Sequence, residues 1–401
     1  MRTFRVFAPV LLVAFPAWAA AECGGAATPC CQPKGLVKQA FTVSRDDTHH
    51  EAWPYLCFAS NGELICSYAE ADMHGGGAMP RTLVRISKDL GRTWSEPIVV
   101  DTLRSPTGRN FMMCRWVIRL NNGTLLLASD FNGTSPLAPP GAPHNWSNDP
   151  VNSGDSGAWL YRSLDNGRTW SGPQKTYCLT VSLTMKQLST GRILLGGSHY
   201  HCEGDYWSQV VYYSQDNGKT WYGPVTVLDD PKYSCAEGDM VEMPGGVLVM
   251  YLRSAAPAQG AYKMISTDGG MTWQGPYAAG RHPIVGRVAA GRLTSGEVLV
   301  MHRVGRSAGC KLGFAFFVES LTAALSRIPY DPKAHQPTAQ SWGMIDVDRH
   351  GHPDGGYGSW VELPDGDIYA VQYITDDAPV GKPQIRGYLI SRKKLLNANG
   401  T

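Results

Sequence analysis

"SKDLGRTW" (residues 87–94) returns as "SLDNGRTW" (163–170), "SQDNGKTW" (214–221) and "STDGGMTW" (266–273). The shared pattern S-x-D-x-G-x-T-W is the chemistry of a turn. The Asp carboxylate accepts backbone N–H groups, the Gly takes a left-handed conformation, and the Trp packs back across the flanking strands. The Asp residues at 89, 165, 216 and 268 invite a catalytic reading, but their regular recurrence argues for structure.

A second repeat surrounds the first. Six times an apolar run meets a Gly-centred turn and leaves as another apolar run: "FASNGELICSY", "RLNNGTLLLAS", "QLSTGRILLGG", "EMPGGVLVMYL", "RLTSGEVLVMH" and "ELPDGDIYAVQ". The turn glycines are Gly62, Gly123, Gly191, Gly246, Gly296 and Gly366, about 50 to 70 residues apart, which leaves room for four strands per unit. Four-stranded antiparallel units that cannot bury both faces alone stack radially. The expectation is an all-β, six-bladed β-propeller over residues 45–395, with the turn box absent from units five and six.

Ahead of it, residues 1–21 read as a signal peptide, with Arg2 and Arg5, the apolar "VFAPVLLVAFPAW", and cleavage after Ala21. Residues 22–44 read as a Cys- and Pro-containing lead-in. The location expected is secreted or periplasmic. No later run is long and apolar enough for a membrane span. A net charge of +2 gives no reason to expect nucleic acid. Export permits disulfides among the ten cysteines. If Asn61-Gly62 is a two-residue hairpin turn, Cys57 faces Cys66, as a disulfide or as two reduced core thiols.

In a propeller the innermost strands start near the axis, so equivalent positions form a ring. Nine residues before each turn glycine stand Trp53, Cys114, Ser182, Glu237, Arg287 and Tyr357. Seven after it stand Ala69, Asp130, Ser198, Arg253, Arg303 and Tyr373.

Blades carrying this turn box resemble the sialidase superfamily, over roughly residues 45 to 395. The resemblance implies a carbohydrate-active enzyme with a Tyr nucleophile assisted by a Glu, an Asp acid/base, and three Arg that clamp a carboxylate. "AEGDMVEMPGGVLVMYLRS" resembles the family's Glu-to-Arg blade and places Glu237 and Arg253. "GGYGSWVELPDGDIYAVQY" resembles its nucleophile strand and places Tyr357. Arg303 suits a second clamp. The first blade departs: Ala52, Trp53 and Pro54 stand where the family has Arg-Ile-Pro, and Tyr373 stands where the supporting Glu would be. The acid/base loop differs too, and offers Asp72 and His74.

Three functions stay open. The first is an exo-acting glycoside hydrolase on a terminal acidic sugar, with Tyr357 and Glu237 at the anomeric carbon and His74 or Asp72 protonating the leaving oxygen. The second is a lyase cleaving a uronate linkage by β-elimination with Tyr357 or His74. The third is a glycan-binding propeller without chemistry. Arg115, Arg287, Trp53, His199 and Asp130 join Arg253 and Arg303 as candidate substrate contacts. No cofactor is expected. His199 and His201 point to one side of an extended chain, as metal ligands do, but lack further ligands at a recognised spacing. The Pro-rich stretch 130–150, with His144 and Trp146, reads as an insertion over the pocket. Asn122, Asn132 and Asn145 match N-x-S/T.

Overall fold

The computed structural model describes residues 35–398, apart from 75, 78–79, 103–109, 112–114, 134–156, 177, 179–180, 202–203, 255–260, 281–283, 305–311, 332–336 and 377–380. The expected signal peptide, most of the Pro-rich insertion, Cys114, His144, Asn145 and Trp146 lie outside the described residues.

Six antiparallel sheets account for almost all the regular structure, and each contains a four-strand blade. The strands that open the blades are His50–Phe58, Arg115–Arg119, Val181–Gln187, Cys235–Glu242, Val288–Arg292 and Gly355–Glu362. Neighbours in this series touch one another, and the last touches the first, so they ring a central channel. Side chains alternate along each strand, and facing sheets bury aliphatic and aromatic residues between blades. The chain is therefore an all-β, six-bladed propeller.

The ring closes through the N-terminal segment. Val37–Ser44 pairs with Gln384–Ile390 and is the outermost strand of the sixth blade. The propeller thus begins before residue 45, and part of the expected lead-in is a blade strand. Pairing first and last segments in one sheet leaves no open seam.

The turn boxes behave as their chemistry requires. In the first, Asp89 accepts from Thr93 N at 2.9 Å and Thr93 Oγ1 at 2.6 Å, Ser87 Oγ caps Gly91 N at 2.8 Å, and Trp94 Nε1 donates to Gly91 O at 3.2 Å. The same bonds recur around Asp165, Asp216 and Asp268. Each of these turns joins the third and fourth strands of its blade, and both carboxylate oxygens of each Asp are taken up within the turn, which is a structural role.

Of the two readings of Cys57 and Cys66, the reduced thiols are the one the structure shows; both are free. Phe58 faces Leu64 and Ala59 N donates to Glu63 O at 2.9 Å, so the loop is the three residues 60–62 rather than two, with Gly62 left-handed at its end. Cys57 consequently faces Ile65 and Cys66 faces Leu56. A one-residue shift sends alternate side chains to the opposite face, and the two sulfurs join different core clusters.

Candidate active site

Among the described residues, four of the blade-opening strands carry a bulge with a left-handed residue where they enter the channel. It is Trp53 (φ 53°) in blade one, Ser182 (φ 59°) in blade three, Glu237 (φ 51°) in blade four and Gly356 (φ 83°) in blade six. Such a conformation costs a non-Gly residue about 1–2 kcal/mol. Bonds between blades hold it. Asp130 Oδ2 accepts from Ser182 N at 2.8 Å, and Ser198 Oγ accepts from Glu237 N at 2.9 Å. Each acceptor stands seven residues after its own turn glycine and reaches the entrance of the next blade.

At the blade five to blade six junction, the same device delivers side chains to one point. Arg303, on Val298–Val304, donates from Nη2 to Tyr357 Oη at 2.9 Å and from Nη1 to Gly355 O at 3.3 Å. Its guanidinium lies 4.3 Å from the Tyr357 ring centroid. Arg253 Nη1 donates to the same Tyr357 Oη at 3.0 Å and to Glu237 Oε2. Tyr357 Oη in turn donates to Glu237 Oε2 at 2.9 Å. Glu237, Arg253, Arg303 and Tyr357 therefore converge from three blades. Burial works to raise the Glu237 pKa, but the two guanidiniums outweigh it and hold the carboxyl below its usual range. Burial pushes the Tyr357 phenol up, an effect the same arginines partly offset. The phenolic proton thus stays on Tyr357 at rest, hydrogen-bonded to an ionised Glu237.

Beside this group lies a second one. Asp354 Oδ2 is 2.9 Å from His50 Nε2 and 2.7 Å from His74 Nδ1, and Tyr373 Oη donates to Oδ1 at 3.0 Å. The Trp53 ring packs edge-on to His74 (5.1 Å between centroids) and against Tyr373 (5.7 Å). Tyr373 meets Tyr357 edge-on at 6.2 Å, linking the two groups. Burial would raise the Asp354 carboxyl, but the hydrogen bonds from His50 and His74 draw it far below the usual carboxylate range. The loop that bears His74 is anchored: Gly76–Gly77 pairs with Asn110–Phe111, which pairs with blade two.

The other sequence candidates fall elsewhere. Trp53 is 3% exposed and wedged under His74, so its face is covered by protein. Arg115 is fully buried. Arg287 stacks on Trp116, 4.7 Å from its centroid, and donates to Leu183 O. Asp130 is buried in its bond to Ser182. Asp72 is exposed, and its carbonyl accepts from Lys382 Nζ at 2.6 Å. His199 is half-buried near Tyr212, while His201 stacks on Tyr206 and bonds Ser208 Oγ at 2.8 Å. Among the described residues, two groups have ligand atoms close enough for a metal ion: His50, His74 and Asp354, and Asp46, His49 and Glu70. Sequence reasoning missed Asp354 and the role of His50. Asp354 sits three residues ahead of Tyr357 in "PDGGYGS", but nothing in the sequence ties it to a histidine 304 residues away.

Residues 141–327 match the family model described as a BNR repeat-like domain. A Clostridium perfringens sialidase is 24% identical over 200 residues, 47% of this chain and 50% of its own length; the chain spans half the length of that curated relative. Among solved structures, a Dyadobacter fermentans protein of unknown function superposes with TM-score 0.66 at 22% identity, covering 91% of this chain and 100% of that one. Trypanosoma rangeli sialidase in complex with sialic acid superposes with TM-score 0.60 at 15% identity, covering 92% and 60%. The chain is a six-bladed β-propeller similar to sialidases in fold, with BNR-like repeats over residues 141–327.

Proposed function

We propose that this propeller is an exported, exo-acting glycoside hydrolase that takes a terminal acidic sugar at the Tyr357 end of its channel. Its sialidase-like fold supports glycoside hydrolysis or glycan binding. The observation that favours chemistry is one phenolic oxygen held within 3.0 Å of a carboxylate and two guanidiniums. Among the described residues, Arg253 Nε is buried without a hydrogen-bond partner, a spare donor beside that oxygen.

In this reading Tyr357 passes its proton to Glu237 while its oxygen attacks the anomeric carbon. The bond to the leaving oxygen breaks, and that oxygen takes a proton from Nε2 of His74, which enters this step as the imidazolium. Water then attacks the glycosyl–tyrosine bond and gives its proton to His74, and Tyr357 recovers its own from Glu237. The sum is one glycosidic bond exchanged for water, with enzyme unchanged. Arg253 and Arg303 hold the developing phenolate charge and meet the carboxylate of the sugar by paired hydrogen bonds.

The test is product analysis on sialosides, uronic-acid oligosaccharides and neutral arabinosides. Hydrolysis predicts a released acidic monosaccharide with no absorbance change at ~235 nm. A rise there marks an unsaturated uronate and replaces hydrolysis by β-elimination. Saturable binding without turnover of any member leaves a glycan-binding propeller.

A further inference from the structure

The entrance of blade one lacks an arginine, and what stands there is a connected polar cluster. Asp354 Oδ2 has His50 Nε2 at 2.9 Å and His74 Nδ1 at 2.7 Å, and its Oδ1 receives Tyr373 Oη at 3.0 Å. An ionised carboxylate only accepts, so both imidazole nitrogens facing it are N–H donors. A neutral imidazole carries one N–H, which fixes both tautomers. His50 is protonated on Nε2, and its buried Nδ1 has no partner among the described residues. His74 is protonated on Nδ1, which leaves Nε2 as the nitrogen with the lone pair. The His74 side chain is 53% exposed, against 6% for His50, so only His74 can reach a ligand. A carboxylate behind an imidazole orients the ring and stabilises its protonated form.

We propose that Asp354 is the positioning residue that makes His74 Nε2 the acid/base atom of the site, with His50 and Tyr373 holding the carboxylate in place. The inference deepens the hydrolase reading and rests on it. The cluster also orients the substrate. An ionised Asp354 repels an anion, so the sugar's carboxylate faces Arg253 and Arg303 and its glycosidic oxygen faces His74. The titratable and charged groups near His74 are Asp354, His50 and Tyr373 in the cluster, Asp72 on its own loop, and Lys382, which donates to the Asp72 carbonyl. A metal fits the same atoms less well. A metal-bound imidazole ordinarily donates its other N–H to an acceptor, and His50 Nδ1 has none.

The first arm of the test needs no substrate. Long-range ¹H–¹⁵N spectra of histidine-labelled protein report each tautomer, and His74→Gln, on a half-exposed side chain, assigns the resonance without threatening the fold. The expected result is Nδ1–H for His74 and Nε2–H for His50, with His74 reverting towards Nε2–H in Asp354→Asn. An Nε2–H form of His74 in the wild type overturns the proposal. So does uptake of one equivalent of Zn²⁺ that shifts both histidines. In the second arm, His74→Gln and Asp354→Asn lower kcat/KM on order of 10²-fold for sugar leaving groups and far less for nitrophenyl glycosides, whose leaving group needs no proton. Equal losses on both overturn an acid/base role. The tautomers decide the Asp354–His74 pairing whether or not any glycoside turns over, so failure of the hydrolase reading is distinguishable from failure of this one.

Discussion

Glu51 follows His50 in the chain and is 1% exposed. Ser44 Oγ donates to its Oε1, and its Oε2 has no hydrogen-bond partner among the described residues. Burial is the main reason its pKa rises from 4.5 to about 7, with Ser44 working against the rise and Glu70 adding to it. The sign follows from linkage. Between pH 4.5 and about 7 the folded chain keeps a proton that the unfolded chain has released. Glu51 therefore costs least stability below pH 4.5, and the penalty grows as pH rises through 7, reaching about 3 kcal/mol. Glu51→Gln keeps an acceptor for Ser44 and removes the ionisation. Thermal melts should show the variant more stable than wild type at pH 8 and nearly equal at pH 5. The same decline between pH 5 and 8 in both proteins would place that titration elsewhere.

At the scale of the strand, the entrance bulge is the working part. Counting back nine from each turn glycine finds Trp53, Ser182 and Glu237, all left-handed in the structure. In blade six the bulge sits one residue further from the turn, so Gly356 takes the left-handed place and Tyr357 follows it. The count was legible because hairpin length is nearly constant. The one-residue drift was not, because bulge position is set by packing against the next blade. Gly356 serves that packing: a Cβ there would lie 2.9 Å from Arg303 Cγ and 3.0 Å from Cδ. Gly286 leaves room on the same arginine: a Cβ there would lie 2.7 Å from Arg303 Cβ. Gly356→Ala should move Arg303 off Tyr357 and raise KM or Kd for an acidic sugar on order of tenfold or more, as loss of a charged hydrogen bond does. Gly351→Ala meets nothing within 4 Å and is the control. Equal affinities in both variants would remove Arg303 from the clamp.

Over the whole molecule, repetition was legible and convergence only half so. Four turn boxes and six hairpins point to six blades, and ring arithmetic brings Glu237, Arg253, Arg303 and Tyr357 to one face because every blade repeats one geometry. Asp354 lies in a loop ahead of its strand, outside any repeat, and only closure of the ring brings it to His50. The same closure enlists Val37–Ser44, which has no turn box to announce it. The account's central claim is that residues from blades four, five and six make one nucleophile at Tyr357. Mass spectrometry after incubation with an acidic glycosyl fluoride, bearing a second fluorine beside the anomeric carbon to slow breakdown, tests it directly. The account predicts a glycosyl adduct on the peptide containing Tyr357, absent from Tyr357→Phe. An adduct on another residue, or wild-type turnover by Tyr357→Phe, would contradict it.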